Sequence, residues 1–134
     1  MIIDLGSLER AVASLARAVE RSSAVPADTE LRDAVIQRFG YTYELSWKLL
    51  KRRIEADHPS PENVDRMSFK ELLREGAERG LVREVGAWIA YRESRNLTSH
   101  TYDEDAAVQV HATALTFLDD ARALLAELEV RNRD

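Results

Sequence analysis

Apolar residues recur along this chain at steps of three and four. Leu5, Leu8, Val12, Leu15 and Val19 make one such stripe, which a helix turns into a single apolar face. A helix is predicted from about Asp4 to Ser22. "SSAVPAD" breaks the pattern, and Asp28 or Thr29 can cap the element that follows. The second predicted helix, about 29–57, carries two stripes. Leu31, Val35, Arg38, Thr42, Leu45 and Leu49 form one, and Ile36, Phe39, Tyr43, Trp47, Leu50 and Ile54 form the other. A helix apolar on two sides packs on two sides, so it belongs at the centre of a bundle or in a subunit interface. "DHPSPEN" ends it, because neither proline continues a helix.

Ser68-Phe69-Lys70-Glu71 reads as a capping box, opening a short helix that stops at Gly80. Another helix starts near Arg83 and carries Val85, Trp88, Ile89 and Tyr91. The last is predicted from Asp103 or Glu104 to Glu129. One of its sides holds Val108, His111, Leu115, Leu118, Arg122 and Leu125; a second holds Val110, Ala114, Phe117, Ala121, Leu124 and Leu128. "RNRD" reads as a frayed tail. The expected fold is all-α: one domain over residues 1–134, an up-and-down bundle of four to five helices with short connections. The two double-striped helices carry more apolar surface than one small bundle buries, which predicts dimerisation through helix faces.

Composition narrows the chemistry. The chain has no cysteine, which excludes disulfides, thiol catalysis and cysteine-ligated metals. No His/Asp/Glu spacing resembles a metal site and no glycine-rich loop cradles phosphate, so neither metal nor cofactor is expected. "MIIDLGSLER" carries an acid early and lacks a long apolar run, so no signal peptide or membrane span is read and a cytoplasmic location is expected. A net charge of −5 argues against bulk nucleic-acid binding but leaves room for a local basic site. Lys48, Lys51, Arg52 and Arg53 offer one on the second helix, with Lys48, Lys51 and Arg52 as candidate RNA-backbone contacts. A solvated face paired with Glu44 and Glu55 is the more ordinary reading. His111 is read as a core or interface histidine, Trp47 and Trp88 as core anchors, of which an exposed one could stack a base, and Glu44 as a buried partner for Arg38 or Arg95.

"RESRNLTSHTYDEDAA", residues 92–107, breaks the plain amphipathic pattern. Arg95 lies two turns beyond Trp88, on an inward stripe, where an unpaired guanidinium is costly. His100, five residues on, would point about 140° away on an unbroken helix. Convergence therefore requires the helix to end within "NLTSH", where Asn, Thr and Ser compete for backbone bonds, or requires a second subunit. Asp103 looks like the cap of the last helix. An arginine fork binds phosphate. A histidine with an ordinary pKa near ~6.5 can take a proton from a ribose 2′-hydroxyl or give one to a leaving 5′-oxygen. Asn96, Thr98 or Ser99 can orient either group, so the set suffices for RNA cleavage without a metal. Spacing alone nevertheless favours the plainer reading, in which Arg95 pairs with Glu93 or Asp103 and His100 finishes a helix.

Three stretches in order, "IQRFGYTYELSWKLLKRRIE" (36–55), "FKELLREGAERGLV" (69–82) and "RNLTSHTYDE" (95–104), resemble the HEPN superfamily. More narrowly they resemble its HepT-like branch, the nucleotidyltransferase substrate-binding protein family, over about residues 5–128. The resemblance implies a bundle that dimerises with two Arg-x4–6-His motifs facing across a cleft. It implies a metal-independent endoribonuclease, often the toxin of a toxin–antitoxin pair, whose partner is a small nucleotidyltransferase. Carried over, Arg95 and His100 are the catalytic pair, with Asn96 and Ser99 in support. Tyr102 completes Arg-x4-His-x-Tyr, the form in which the partner attaches AMP to the tyrosine and silences the toxin. The family's other description implies a non-catalytic subunit that presents a nucleotide or other substrate to the transferase. Gly40 stands where relatives are expected to carry an acid, a departure that should touch helix stability more than the site.

Overall fold

The computed structural model describes residues 1–132. Helices span Gly6–Ala24 (α1), Thr29–Asp57 (α2), Pro61–Asp65 (α3), Phe69–Glu78 (α4), Val85–Asn96 (α5) and Glu104–Arg131 (α6), with a 3₁₀ turn at Thr98–His100 before α6. Among the described residues there is no strand, and no helix is long and apolar enough to cross a membrane. The all-α, up-and-down bundle is as expected. The sixth helix is α3: Pro61, expected only to stop a helix, opens one at the first helical position, where its missing N–H costs nothing.

Helix starts follow local chemistry. Asp28 accepts from the backbone N–H groups of Glu30 and Leu31 at 2.9 and 3.2 Å, and Asp103 caps α6 in the same way. The capping box of α4 closes in both directions between Ser68 and Glu71. That helix ends in a turn with Gly80 at φ +78°, a conformation that favours glycine. The predicted frayed tail is corrected in part. Arg131 continues α6, and Asn132 exchanges two hydrogen bonds with the backbone of Ile3, at 2.6 and 2.9 Å; the rest of "RNRD" lies outside the described residues.

α2 packs against every other helix, the central position its double stripe predicted. The Arg38–Thr42 side meets α1, with Arg38 donating to the Ser14 carbonyl at 2.9 Å and Thr42 to the Ala11 carbonyl at 3.3 Å. The Phe39–Tyr43 side meets α5 and α6 in an aromatic cluster built around Phe117. Its ring lies 5.2 Å from Phe39, 5.7 Å from Trp88 and 5.1 Å from Tyr91, each edge to face. The expected basic patch loses Arg53, which is buried, holds both carboxylate oxygens of Asp57 at 2.9 and 2.7 Å, and donates to the Met1 carbonyl. On α6 only the Val110–Leu128 stripe is wholly buried; Val108 and Leu115, on the other, stay exposed. His111, half-buried beside them, meets the Ser22 hydroxyl at 3.1 Å.

This packing has measurable consequences for stability. Phe117→Ala removes the centre of the aromatic cluster and should lower the unfolding free energy by about 3–5 kcal/mol in urea titrations. Burial, joined by the Arg32 charge, holds the His111 pKa below its ordinary value. The unfolded chain therefore takes up this proton before the folded one, so stability should fall as pH drops through roughly 6.5 toward the lower folded value. Thermal melts of His111→Gln from about pH 7.5 to 5.5 should show a flatter pH dependence than the parent chain.

Candidate functional site

α5 ends at Asn96, with Leu97 as its cap, so the break expected within "NLTSH" is present. Trp88 and Tyr91, buried against Phe117, fix the helix and its last turn. Arg95 projects between α2 and the 3₁₀ turn. Its Nε lies 3.5 Å from Glu44 Oε1, and its Nη1 donates to Thr98 Oγ1 at 3.1 Å. The Thr98 hydroxyl in turn donates to the Arg95 carbonyl at 2.8 Å. One threonine thus closes the helix end and braces the guanidinium. The partners Glu93 and Asp103 are replaced by Glu44, the acid on α2.

Glu44 gathers further donors. Trp47 Nε1 donates to its Oε2 at 3.2 Å, and Lys48 Nζ lies 3.9 Å away. The Arg95–Glu44 contact has ion-pair distance without hydrogen-bond geometry, so Arg95 Nε is buried and unsatisfied. This pair forms a wall shared by two cavities. One, about 360 Å³, lies among α2, α4 and α5 and also takes in Asn96; the other, about 440 Å³, takes in Gly40, Thr98 and Thr101. Gly40 is therefore a neighbour of the site: a methyl group there would stand 3.6 Å from Arg95 Nε.

His100 lies on the exposed 3₁₀ turn. Its ring stands 6.1 Å from that of Tyr102, edge to face, and Tyr102 is 87% exposed. No hydrogen bond joins Arg95 to His100 within the described residues of one protomer, and Ser99 is exposed beside them. The α2 cations scatter. Lys51 lines the smaller cavity and pairs with Asp65 at 3.1 Å, while Arg52 sits near Met1, Ile3 and Pro61. Trp47, read as a core anchor, is only half-buried and lines the smaller cavity. Two residues that the sequence reading assigned to no site meet there as well, Tyr43, read only as part of an apolar stripe, and Arg92. Arg92 stands at the i, i+3 and i, i+4 spacings from Arg95 and Asn96, a one-face signal that could have found it.

The geometry at Gly40 yields a test. A β-carbon at 3.6–3.7 Å from Arg95 is ordinary contact, and glycine inside a helix is unfavourable. Gly40→Ala should therefore raise the unfolding free energy by about 0.5–1 kcal/mol in urea titrations.

Comparison with known proteins places this arrangement in a family. Residues 3–130 match the family described as nucleotidyltransferase substrate binding protein like. A Haemophilus influenzae protein named "Probable ribonuclease HepT" is 41% identical over 98 residues, covering 73% of this chain and 67% of that protein. A solved H. influenzae structure, described as revealing the fold of a substrate binding domain of a nucleotidyltransferase, superposes with a TM-score of 0.86 at 36% identity. It covers 94% of this chain and 99% of its own. A crystal structure from Thermus thermophilus gives a TM-score of 0.74 at 30% identity, covering 90% and 98% respectively. The chain belongs to the nucleotidyltransferase substrate-binding protein family, the HepT-like branch of the HEPN proteins.

Proposed function

We propose that this protein is a metal-independent endoribonuclease that works as a homodimer and serves as the toxin of a pair with a small nucleotidyltransferase. The observation that carries the reading is Arg95, braced by Glu44 and Thr98 on the wall of two open cavities, in a chain similar to a protein named "Probable ribonuclease HepT". In this mechanism Arg95 holds a phosphodiester and offsets charge accumulating on its oxygens. His100 takes the proton of the ribose 2′-hydroxyl, whose oxygen attacks phosphorus as the bond to the 5′-oxygen breaks. A second His100, across the two-fold axis, returns a proton to the departing 5′-oxygen. The products are a 2′,3′-cyclic phosphate and a free 5′-hydroxyl. Asn96 and Ser99 flank the pair and orient substrate.

The dimer reading is supported by Val108 and Leu115, exposed one heptad apart on α6, and by a motif whose two reacting side chains do not meet within one protomer. Tyr102, 87% exposed beside His100, is accessible to a modifying enzyme. An attached AMP would bring bulk and negative charge to a phosphate-binding cleft. Lys48 and Lys51 stand near enough to Trp47 and the smaller cavity to guide an RNA backbone, whereas Arg52 lies apart. The alternative, a non-catalytic subunit that presents substrate to the transferase, draws support from the solved substrate-binding-domain neighbour.

Purified protein should cut RNA in the presence of a chelator, and His100→Ala should lower the rate by roughly 10²–10⁴-fold. Arg95→Ala should lose activity comparably. Co-expression with the partner transferase should add the mass of AMP, an addition absent in Tyr102→Phe. Absence of cleavage, together with unaffected growth on expression and a stable complex with the transferase, would favour the substrate-presenting subunit instead.

A further inference from the structure

The smaller cavity has a construction that phosphate binding at Arg95 does not require. Its walls are aromatic. Trp47 and Phe69 meet edge to face at 6.2 Å, and Tyr43 lies 6.4 Å from Phe69. Arg92 rests its guanidinium 4.6 Å above the Phe69 ring, a cation–π contact. Lys51, Arg92 and Arg95 line the cavity against the one acid Glu44, and Glu44 already faces Arg95, Trp47 and Lys48.

An independent observation concerns unpaired donors beside this cavity. Among the described residues three buried side-chain polar atoms lack a hydrogen-bond partner: Arg32 Nε, Tyr43 Oη and Arg95 Nε. The last two belong to residues that line this one cavity. Tyr43 is 2% exposed. Burial raises its pKa, and the Arg92 and Arg95 charges act in the opposite sense without reversing the rise. The hydroxyl therefore stays a proton donor. Buried donors left without acceptors are costly, and a ligand acceptor that reached them would relieve that cost.

We propose that this cavity is a nucleobase subsite for the nucleotide next to the phosphate held at Arg95, with the base stacked on Trp47 and accepting from Tyr43. A base supplies the flat π-face that the aromatic walls match, and its carbonyl or ring nitrogen supplies the acceptor. Its attached phosphate lies among the cations. Arg92 covers the Phe69 ring and contributes charge, while Asn96, at the end of α5, borders both base and phosphate. The cavity falls within the roughly 300–1,000 Å³ of small-molecule sites. The inference builds on the phosphodiester reading of Arg95, but it concerns binding and stands apart from cleavage.

The test uses a short 2′-O-methyl RNA strand, which cannot be cut through its 2′-oxygen, and the same strand made abasic throughout. Titration into the whole protein should show the base-bearing strand binding about tenfold tighter or more. It should also quench the half-exposed Trp47, leaving Trp88, wholly buried, as an internal reference. Trp47→Ala should remove most of the preference for bases. Arg92→Met, at an exposed position, should weaken both strands alike, because its charge faces the phosphate that they share. Equal binding of the two strands with unchanged emission overturns the subsite, as does failure of both to bind. RNA cleavage lost in His100→Ala alongside equal strand binding would overturn the subsite alone. Base-dependent binding by a chain that cuts no RNA would sustain the subsite and overturn the catalytic reading.

Discussion

Everything in this bundle hangs on the two-sided burial of α2. A helix with one apolar face can be laid on a core; a helix with two must be enclosed, and the other five helices do the enclosing. Phe39 and Tyr43 on one side meet Phe117 and Trp88, and Tyr91 joins the cluster through those two rings, fixing α5 and α6 relative to α2 through ring contacts that allow little sliding. The orientation of α5 then decides where Arg95 emerges. A guanidinium that would be ruinous inside the core is delivered instead to the rim, where Glu44 from α2 and Thr98 from the following turn receive it.

The same packing explains why the site is divided. α5 stops at Asn96, and the 3₁₀ turn that follows carries His100 outward, into neither cavity. Arg95 rests on the helical bundle, while His100 rides on a short connection held by backbone bonds such as His100 N–H to the Leu97 carbonyl at 2.9 Å. On the proposed reading, placement on the bundle suits a group that holds a phosphate in register. An exposed turn suits a group that acts on material shared with another molecule.

Much of this is legible in the residues. Asp28, Asp103 and Ser68-x-x-Glu71 announce helix starts through chemistry local to a few positions, and α2 runs over the span its stripes predict. The break after Asn96 is readable from the clustering of Asn, Thr and Ser. What escapes is what no local pattern reveals. α3 has a single buried residue, Val64, too little for any period, and its proline reads equally as a stop or a start. Arg53 sits among Lys48, Lys51 and Arg52 and looks like one of them; only the fold shows that Asp57 and the Met1 carbonyl draw it inside. Tyr43 belongs to an apolar stripe, and nothing in a stripe reveals that its hydroxyl lacks an acceptor beside a cavity. Gly40 reads as a matter of helix propensity, yet the fold sets it against the arginine.

The pair of hydrogen bonds between Asn132 and Ile3 has a topological consequence. The first and last described elements meet at one pole of the bundle, near Arg53 of α2, so the backbone is nearly a closed ring. At a rise of about 1.5 Å per residue, that pole lies roughly 20 Å along α2 from Gly40. A circular permutant that joins these ends and opens elsewhere would keep every helix in place. Ile3 and Asn132 thus share one corner of the bundle, away from the arginine and its two cavities.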